Sequence, residues 1–361
     1  MLNRLLDFLI QVQQIPAPTL AEADRASFIR DRFAEEGLAD LQLDAAGNVF
    51  ARLPGVGQAA PLVLSAHLDT VFPAGTDLTV RRESGRIYGP GIGDNSLGVA
   101  GLFGLLWVLR ERGLQLPGDL WLAANTCEEG LGNLRGMQAL VERFGATPRL
   151  YLVLEGMALG HIYHQGIGVR RYQLTVHTAG GHSWTDYGSP SAIHELTGLA
   201  AKIASLQLPS GPRTTLNLGR IGGGTSINTI AAEAWCELDL RSESQVALAE
   251  ISRRVEKLVE TAGRPGVSLD LQVIGQRPAG ELSAHHPFIR LARACLNEQG
   301  LEPVLTAGST DANLPLSLGY PALVLGLTRG GGAHTVNEYI ETGPLAQGLE
   351  QLVRFVSRAW E

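Results

Sequence analysis

The sequence predicts an α/β protein in which a mainly parallel sheet carries helices on both faces, interrupted by a smaller unit with its own sheet and helices. Three observations predict this. Short apolar runs that stop abruptly at polar residues (PLVLSAHLDT, DLWLAANTCEEG and RLYLVLEG) alternate with helical periodicity in residues 1–166. Such runs mark strands buried on both faces, the habit of parallel sheets flanked by helices. From about Val169 the pattern changes to strict apolar–polar alternation, and after His285 and His286 the first pattern resumes. The chain therefore divides into residues 1–166, an inserted unit at 167–280, and residues 281–361 that complete the first unit.

In order, MLNRLLDFLIQVQQIPAPT is an amphipathic helix and not a signal peptide, because Arg4 and Asp7 interrupt its apolar residues at helical spacing. Ala21 to Glu36 repeats the helical period, and LQLDAAGNVFARL alternates like a strand pair about Gly47 and Asn48. Leu97 to Arg112 is a Gly-rich apolar helix. In the insert, VRRYQLTVHT, TTLNLGRI, EAWCELDLR and SLDLQVIG alternate, while Ser191 to Leu206 and Gln245 to Thr261 are helical. The resulting βαββαβ order is the ferredoxin-like arrangement. A helix at Pro287 to Gln299 and the strand PALVLGL follow.

The 361 residues exceed what one hydrophobic core usually serves, so two domains are expected. With 45% hydrophobic and 18% charged residues the chain is not of the disordered class. A net charge of -7 offers no basic stripe for a phosphate backbone, which excludes nucleic acid as the expected partner. The three cysteines, Cys127, Cys236 and Cys295, are too few and too widely spaced for a disulfide framework or a Cys-x-x-Cys metal site. They read as buried thiols. No run approaches the roughly 18 uninterrupted apolar residues of a membrane span, so no membrane partner is expected. Cytoplasmic residence is the default expectation.

Ligands of an open parallel sheet belong at the carboxyl ends of its strands. His67, Glu128, Glu129 and Glu155 fall there on three separate strands, so they can converge. In His67-Leu68-Asp69 an extended backbone lets Asp69 sit behind the ring, and a carboxylate on one imidazole nitrogen makes the other a better metal ligand. Gly89-Pro90-Gly91-Ile92-Gly93-Asp94-Asn95 sets an acid in a Gly-dense loop before a helix. A phosphate-binding loop is the rival, but the stretch lacks the P-loop Lys and the dinucleotide spacing. Adjacent Glu128 and Glu129 would repel each other at a buried strand end without a cation nearby. With one present, one acid can bind it while the other serves as general base. His334, in GGGAHTVNEYI, adds a second imidazole. Taken singly, these residues match a satisfied core histidine, a surface turn or a solvated acidic loop. As a set, two histidines and three carboxylates suit zinc and tolerate manganese or cobalt. Two divalent ions would carry about four positive charges against three carboxylates and a hydroxide.

Five motifs in this order, SAHLDT, GIGDN, CEEG, the strand ending in Glu155, and AHTVNE, resemble the zinc-dependent aminoacylase and carboxypeptidase family often called M20. The resemblance covers nearly the whole chain. It implies a zinc-exopeptidase-like catalytic domain with an inserted lid, two zinc ions per subunit, and a homodimer formed through the lid. It implies that His67 and Glu155 hold one ion, Glu129 and His334 the other, and Asp94 both, with a cis peptide after Asp94. Asp69 would orient His67, and Glu128 would act as general base to a metal-bridging water. In the lid, His182 of GGHSW matches a histidine that reaches the partner's site to stabilise the oxyanion, although many members read His-Ala-Gly where this chain has His-Ser-Trp. Asn228 of SINTI and Arg241 of LDLRS match residues that hold the substrate's carbonyl and carboxylate. His161, His164, His177, His194, His285 and His286 match no ligand motif and read as structural or surface residues.

The implied activity is cleavage of an amide bond. GHSW and DNSLGVA resemble the tripeptidase-like branch, which points to short peptides. The alternative is an N-acyl amino acid deacylase of the acetylornithine deacetylase or succinyl-diaminopimelate desuccinylase kind. A non-catalytic binding protein on the same fold is the remote one, opposed by the intact set of Glu128 and five ligands.

Overall fold

Four buried strands lie side by side at the centre of the molecule's largest sheet: Gly118–Asn125, Ala59–His67, Leu150–Glu155 and Ala322–Gly326, each parallel to the next. The computed structural model describes all residues from Met1 to Glu361. Ala322–Gly326 is buried along its whole length and Leu150–Glu155 at all but its final residue, which is why both read as unbroken apolar runs. On one side the hairpin Ala39–Leu43 and Val49–Leu53 extends the sheet antiparallel. On the other, His161–Gly166 runs antiparallel to Ala322–Gly326 and carries Val304–Gly308 in parallel. The sheet has nine strands in all.

The helix Gly98–Glu111 packs on the three strands that end in or near the predicted site residues. It is apolar all round, and every residue from Gly98 to Leu109 is buried, as expected of a helix enclosed on all sides. Residues Ile92–Glu111 match a membrane span in length and hydropathy, but 94% of an apolar 18-residue stretch within them is buried inside the protein. Helices Leu2–Gln13 and Leu345–Arg358 pack against Gly98–Glu111, and Pro287–Asn297 packs against Leu345–Arg358. Pro287 at the first turn and the His286 side chain accepting the Phe288 N–H at 3.3 Å start that helix. Fully burying a Leu or Phe side chain contributes about 1.5–3 kcal/mol, and this core holds dozens of them.

Two compact units emerge, Met1–Gly166 with Glu281–Glu361, and Ile167–Gly280. In the second, strands Gly168–Thr178, Thr214–Gly223, Glu233–Ser242 and Val267–Arg277 form one antiparallel sheet. Their spatial order is second, third, first, fourth. Helices Ala192–Ala204 and Gln245–Ala262 pack against it, giving βαββαβ along the chain. Its core is separate and includes Leu174, Leu196, Leu238, Ile251 and Val255.

A small four-stranded sheet escapes sequence patterning because its strands are two or three residues long. Gly330–Gly331, Tyr339–Glu341, Arg86–Tyr88 and Arg81–Glu83 pair in that order, all antiparallel.

Candidate metal centre

Parallel neighbours that end on one side deliver their last side chains to one place. His67 ends Ala59–His67, and Glu155 ends Leu150–Glu155. Asp94 sits in the irregular turn Ile92–Leu97 ahead of the buried helix, and the Asp94–Asn95 peptide is cis. The strand Gly118–Asn125 stops before the acids expected to close it. Instead the chain turns at Cys127, which has a φ of 60°, and Glu128 and Glu129 follow in that turn. His334, with a φ of 64°, lies in the loop between Gly330–Gly331 and Tyr339–Glu341.

Asp69 holds the turn. Its Oδ1 accepts the Glu128 N–H and its Oδ2 the Glu129 N–H, both at 2.9 Å, and the Thr19 hydroxyl donates to Oδ2 at 2.9 Å. Toward His67 the closest Asp69 atom is the main-chain oxygen, 3.0 Å from Nδ1, with Oδ1 at 3.4 Å. Asp69 thus faces His67 as expected, but its carboxylate is engaged chiefly by the backbone of the two glutamates. The buried Arg25 donates to the carbonyl oxygens of Ile15 and Leu68, which fixes the residue between His67 and Asp69.

With Nδ1 of His67 turned toward Asp69, its Nε2 points into a cluster of acids. It lies 3.2 Å from Asp94 Oδ1 and 3.8 Å from Glu155 Oε2. His334 Nε2 lies 3.1 Å from Asp94 Oδ2 and 3.2 Å from Glu129 Oε1. Each oxygen of Asp94 therefore faces a different histidine. Two groups of potential ligands share Asp94: His67, Asp94 and Glu155, and Asp94, Glu129 and His334, with the ligand atoms of each within 4.8 Å of one another. Glu128 groups in the same way with His67 and Glu129.

The cluster suits cations. Donor atoms about 2.0–2.1 Å from a tetrahedral ion stand about 3.3 Å apart, and the separations around Asp94 are 3.1–3.2 Å. The charge pattern agrees. Burial opposes the charge on His67, but the surrounding Asp69, Asp94, Glu155 and Glu128 outweigh it and hold the ring well above its usual range. Asp94 and Glu129 push His334 up to about 10. Asp94 is held low despite its burial, by the two histidines, whereas burial raises Glu155 far above the usual carboxylate range. Both rings are thus placed where the surrounding acids favour positive charge.

A pH dependence follows for the chelated protein. His334 has a raised folded-state pKa, so its contribution to stability is full below about 6.5 and is lost as pH rises through about 10. The gap in denaturation midpoint between the chelated parent and His334→Gln should therefore shrink from about pH 6 to about pH 10. A gap that widens over that interval would contradict the geometry.

Around Asp94 the loop is tied on both sides. Gln13, fully buried in the first helix, donates to Pro90 O at 3.0 Å and Leu78 O at 3.2 Å. Asn95 donates to Leu154 O at 2.7 Å and accepts from the N–H groups of Gly98 and Gly156. Gly91 has a φ of 67°, a backbone conformation that favours glycine, and a Cβ on Gly93 would stand 2.4 Å from Met157 Cγ, so a side chain there would have to displace Met157. Thr19, Arg25, Gln13, Asn95 and the buried acid Glu338 have no expected role. Helical spacing is the signal that could have found Gln13, which stands four residues after Leu9 on the buried face of the first helix.

His182, Asn228 and Arg241 belong to the unit Ile167–Gly280. His182 pairs with Thr229 in a two-stranded ladder, and Ser183 N–H donates to Asn228 O at 3.0 Å, so His182 and Asn228 are neighbours. Nδ1 of His182 accepts from Trp184 N–H at 3.2 Å and Thr185 N–H at 3.3 Å. Asn228 is exposed, with Oδ1 accepting from Ser226 Oγ. Arg241 donates through Nε to Asp239 at 2.7 Å. Of the histidines without a ligand motif, His164 bonds Leu282 O and His286 caps its helix. The three cysteines are buried free thiols.

An α/β sheet with a cluster of histidines and carboxylates at its carboxyl edge defines a recognisable class of hydrolase, and comparison with known proteins agrees. The model of peptidase family M20/M25/M40 matches residues 63–358, and the chain belongs to that family of hydrolases. It is 26% identical to the succinyl-diaminopimelate desuccinylase of Corynebacterium glutamicum over 332 residues, 90% of this chain and 88% of the relative. Its fold is similar to that of a Staphylococcus aureus tripeptidase, with TM-score 0.84 and 21% identity over 99% of both chains. It is likewise similar to the aminopeptidase PepT of Bacillus cereus, with TM-score 0.82 and 22% identity over 100% of this chain and 99% of the other.

Proposed function

We propose that the chain is a di-metal hydrolase, with zinc as the expected ion, that cleaves an amide bond in short peptides. The observation that carries this reading is the position of Asp94, whose two oxygens face His67 and His334 respectively. His67 and Glu155 would hold one ion, Glu129 and His334 the other, and Asp94 both. Manganese or cobalt would fit the same donors. Such ions supply an acidified water and draw electron density from the scissile carbonyl.

The chain's own groups do the rest. Glu128, buried beside His67 and Glu129, takes a proton at its carboxylate from the attacking water. It returns that proton to the leaving nitrogen as the C–N bond breaks, so that an acid and an amine are released. Asp69 keeps Glu128 and Glu129 in place through their backbone N–H groups. In the unit 167–280, read as a lid, His182 would donate to the oxyanion of a partner subunit's site, and Asn228 and Arg241 would hold the substrate's carbonyl and carboxylate. Thr214–Gly223 is an edge strand of that unit's sheet, and unpaired edges are ready surfaces for a second copy.

Support for peptides comes from the likeness of GHSW and DNSLGVA to the tripeptidase-like branch. A second reading, deacylation of N-acyl amino acids, is favoured by the 26% identity to a desuccinylase. Assay of the metal-loaded protein on di- and tripeptides beside N-acetyl and N-succinyl amino acids separates the two. Hydrolysis of peptides is expected. Turnover confined to acyl compounds selects the second reading, and no metal-dependent turnover on either set defeats both.

A further inference from the structure

Glu338 is fully buried, yet the reaction just described gives it no part. Its carboxylate is aimed at the Asp94 loop. Oε1 accepts the N–H groups of Gly93 at 2.7 Å and Asp94 at 2.8 Å, and Oε2 accepts that of Gly91 at 3.2 Å. Its main-chain oxygen accepts the Gly89 N–H at 2.9 Å, and the next residue, Tyr339, pairs with Tyr88. Toward the other side, its own N–H donates to Thr335 O at 3.1 Å, closing the turn that begins at Thr335, the residue after His334. One residue therefore joins the segment that presents His334 to the loop that presents Asp94.

A carboxylate suits this position because it accepts at both oxygens. Glutamine has the same shape but would turn an NH2 donor toward a backbone N–H, so one side of the clamp is lost. The cost should fall unevenly. Asn95 ties the chain just after Asp94 to Leu154 and Gly156, at the strand end that carries Glu155, without using Glu338. The relation of Asp94 to His67 and Glu155 thus has an independent anchor. Its relation to His334 runs through Glu338.

We propose that Glu338 is a positioning residue that sets the separation of Asp94 from His334, and with it the affinity of the ion site formed by Asp94, Glu129 and His334. The inference rests on the di-metal reading above. Groups that orient ligands in this way typically change metal affinity by about 10–100-fold when altered.

The test is a competition titration of chelated parent and Glu338→Gln with cobalt ions against a chromogenic chelator, with the cobalt absorption spectrum recorded at each equivalent. The parent should bind two ions. The variant should bind one ion near the parent affinity and the other about 10–100-fold more weakly, with the spectrum of the weaker site altered. Thermal midpoints of the chelated forms give the control, since a merely structural residue would lower the midpoint and weaken both sites alike. Should Glu338→Gln not fold, Glu338→Asp, which keeps the charge and shortens the reach, should show the same unequal loss. Two ions bound with parent affinities, or equal weakening at both sites, overturns the inference. A parent that takes up no cobalt overturns the di-metal reading itself.

Discussion

Glu128→Gln should leave both ions bound and lower kcat by about 10²–10⁴-fold, the usual contribution of a positioned general acid–base group. The substitution is well placed to isolate chemistry from folding. The side chain is buried, the amide matches the acid in shape, and the bond to Asp69 Oδ1 comes from the backbone N–H and so survives the change. What is lost is a carboxylate able to accept a proton near His67 and Glu129. KM should change little, because the amide still fills the same space. Steady-state kinetics with metal content measured on the same sample decides the matter. Loss of an ion would move Glu128 from base to ligand, and an undiminished kcat would remove it from the mechanism.

Asp94→Ala should do more, because it strips one donor from each ligand group at once. Both ions should be lost at concentrations where His334→Ala loses one, and turnover should fall to background. The chelated variant gives a second check. His334 stands near 10 chiefly because of Asp94, with Glu129 next, so its pKa should drop when Asp94 is removed. Titration of the ring by NMR measures this directly. Retention of one tightly held ion in Asp94→Ala would show that the two sites do not share this residue.

Most of the longer strands and helices follow from hydrophobic patterning, because parallel strands buried on both faces and a helix enclosed in the core leave unbroken apolar runs, while the antiparallel strands of Ile167–Gly280 leave alternation. Gly98–Glu111 and Ala322–Gly326 are the plainest cases. The convergence of His67 and Glu155 was legible for the same reason, since both end neighbouring parallel strands. Glu128 and Glu129 were less so. Hydrophobicity marks Gly118–Asn125 but not the left-handed turn at Cys127 or the two N–H bonds to Asp69 that place the acids beyond it. The small sheet around Tyr88 and Tyr339 was illegible, because two- and three-residue strands have no period, and with it went the role of Glu338. Thr19 and Arg25 were missed for another reason. Their partners beside His67, Asp69 for Thr19 and Leu68 for Arg25, lie 50 and 43 positions away along the chain, and such pairings depend on tertiary packing that local patterning does not contain.

Hydrolysis should require both of the ions that share Asp94. Exhaustive chelation followed by stepwise return of zinc, with turnover and bound metal measured at each step, tests it most directly. The chelated chain should be inactive, and activity should rise to its full value as bound zinc approaches two per chain. Full turnover in the chelated protein, or saturation of both activity and binding at one ion, would contradict it.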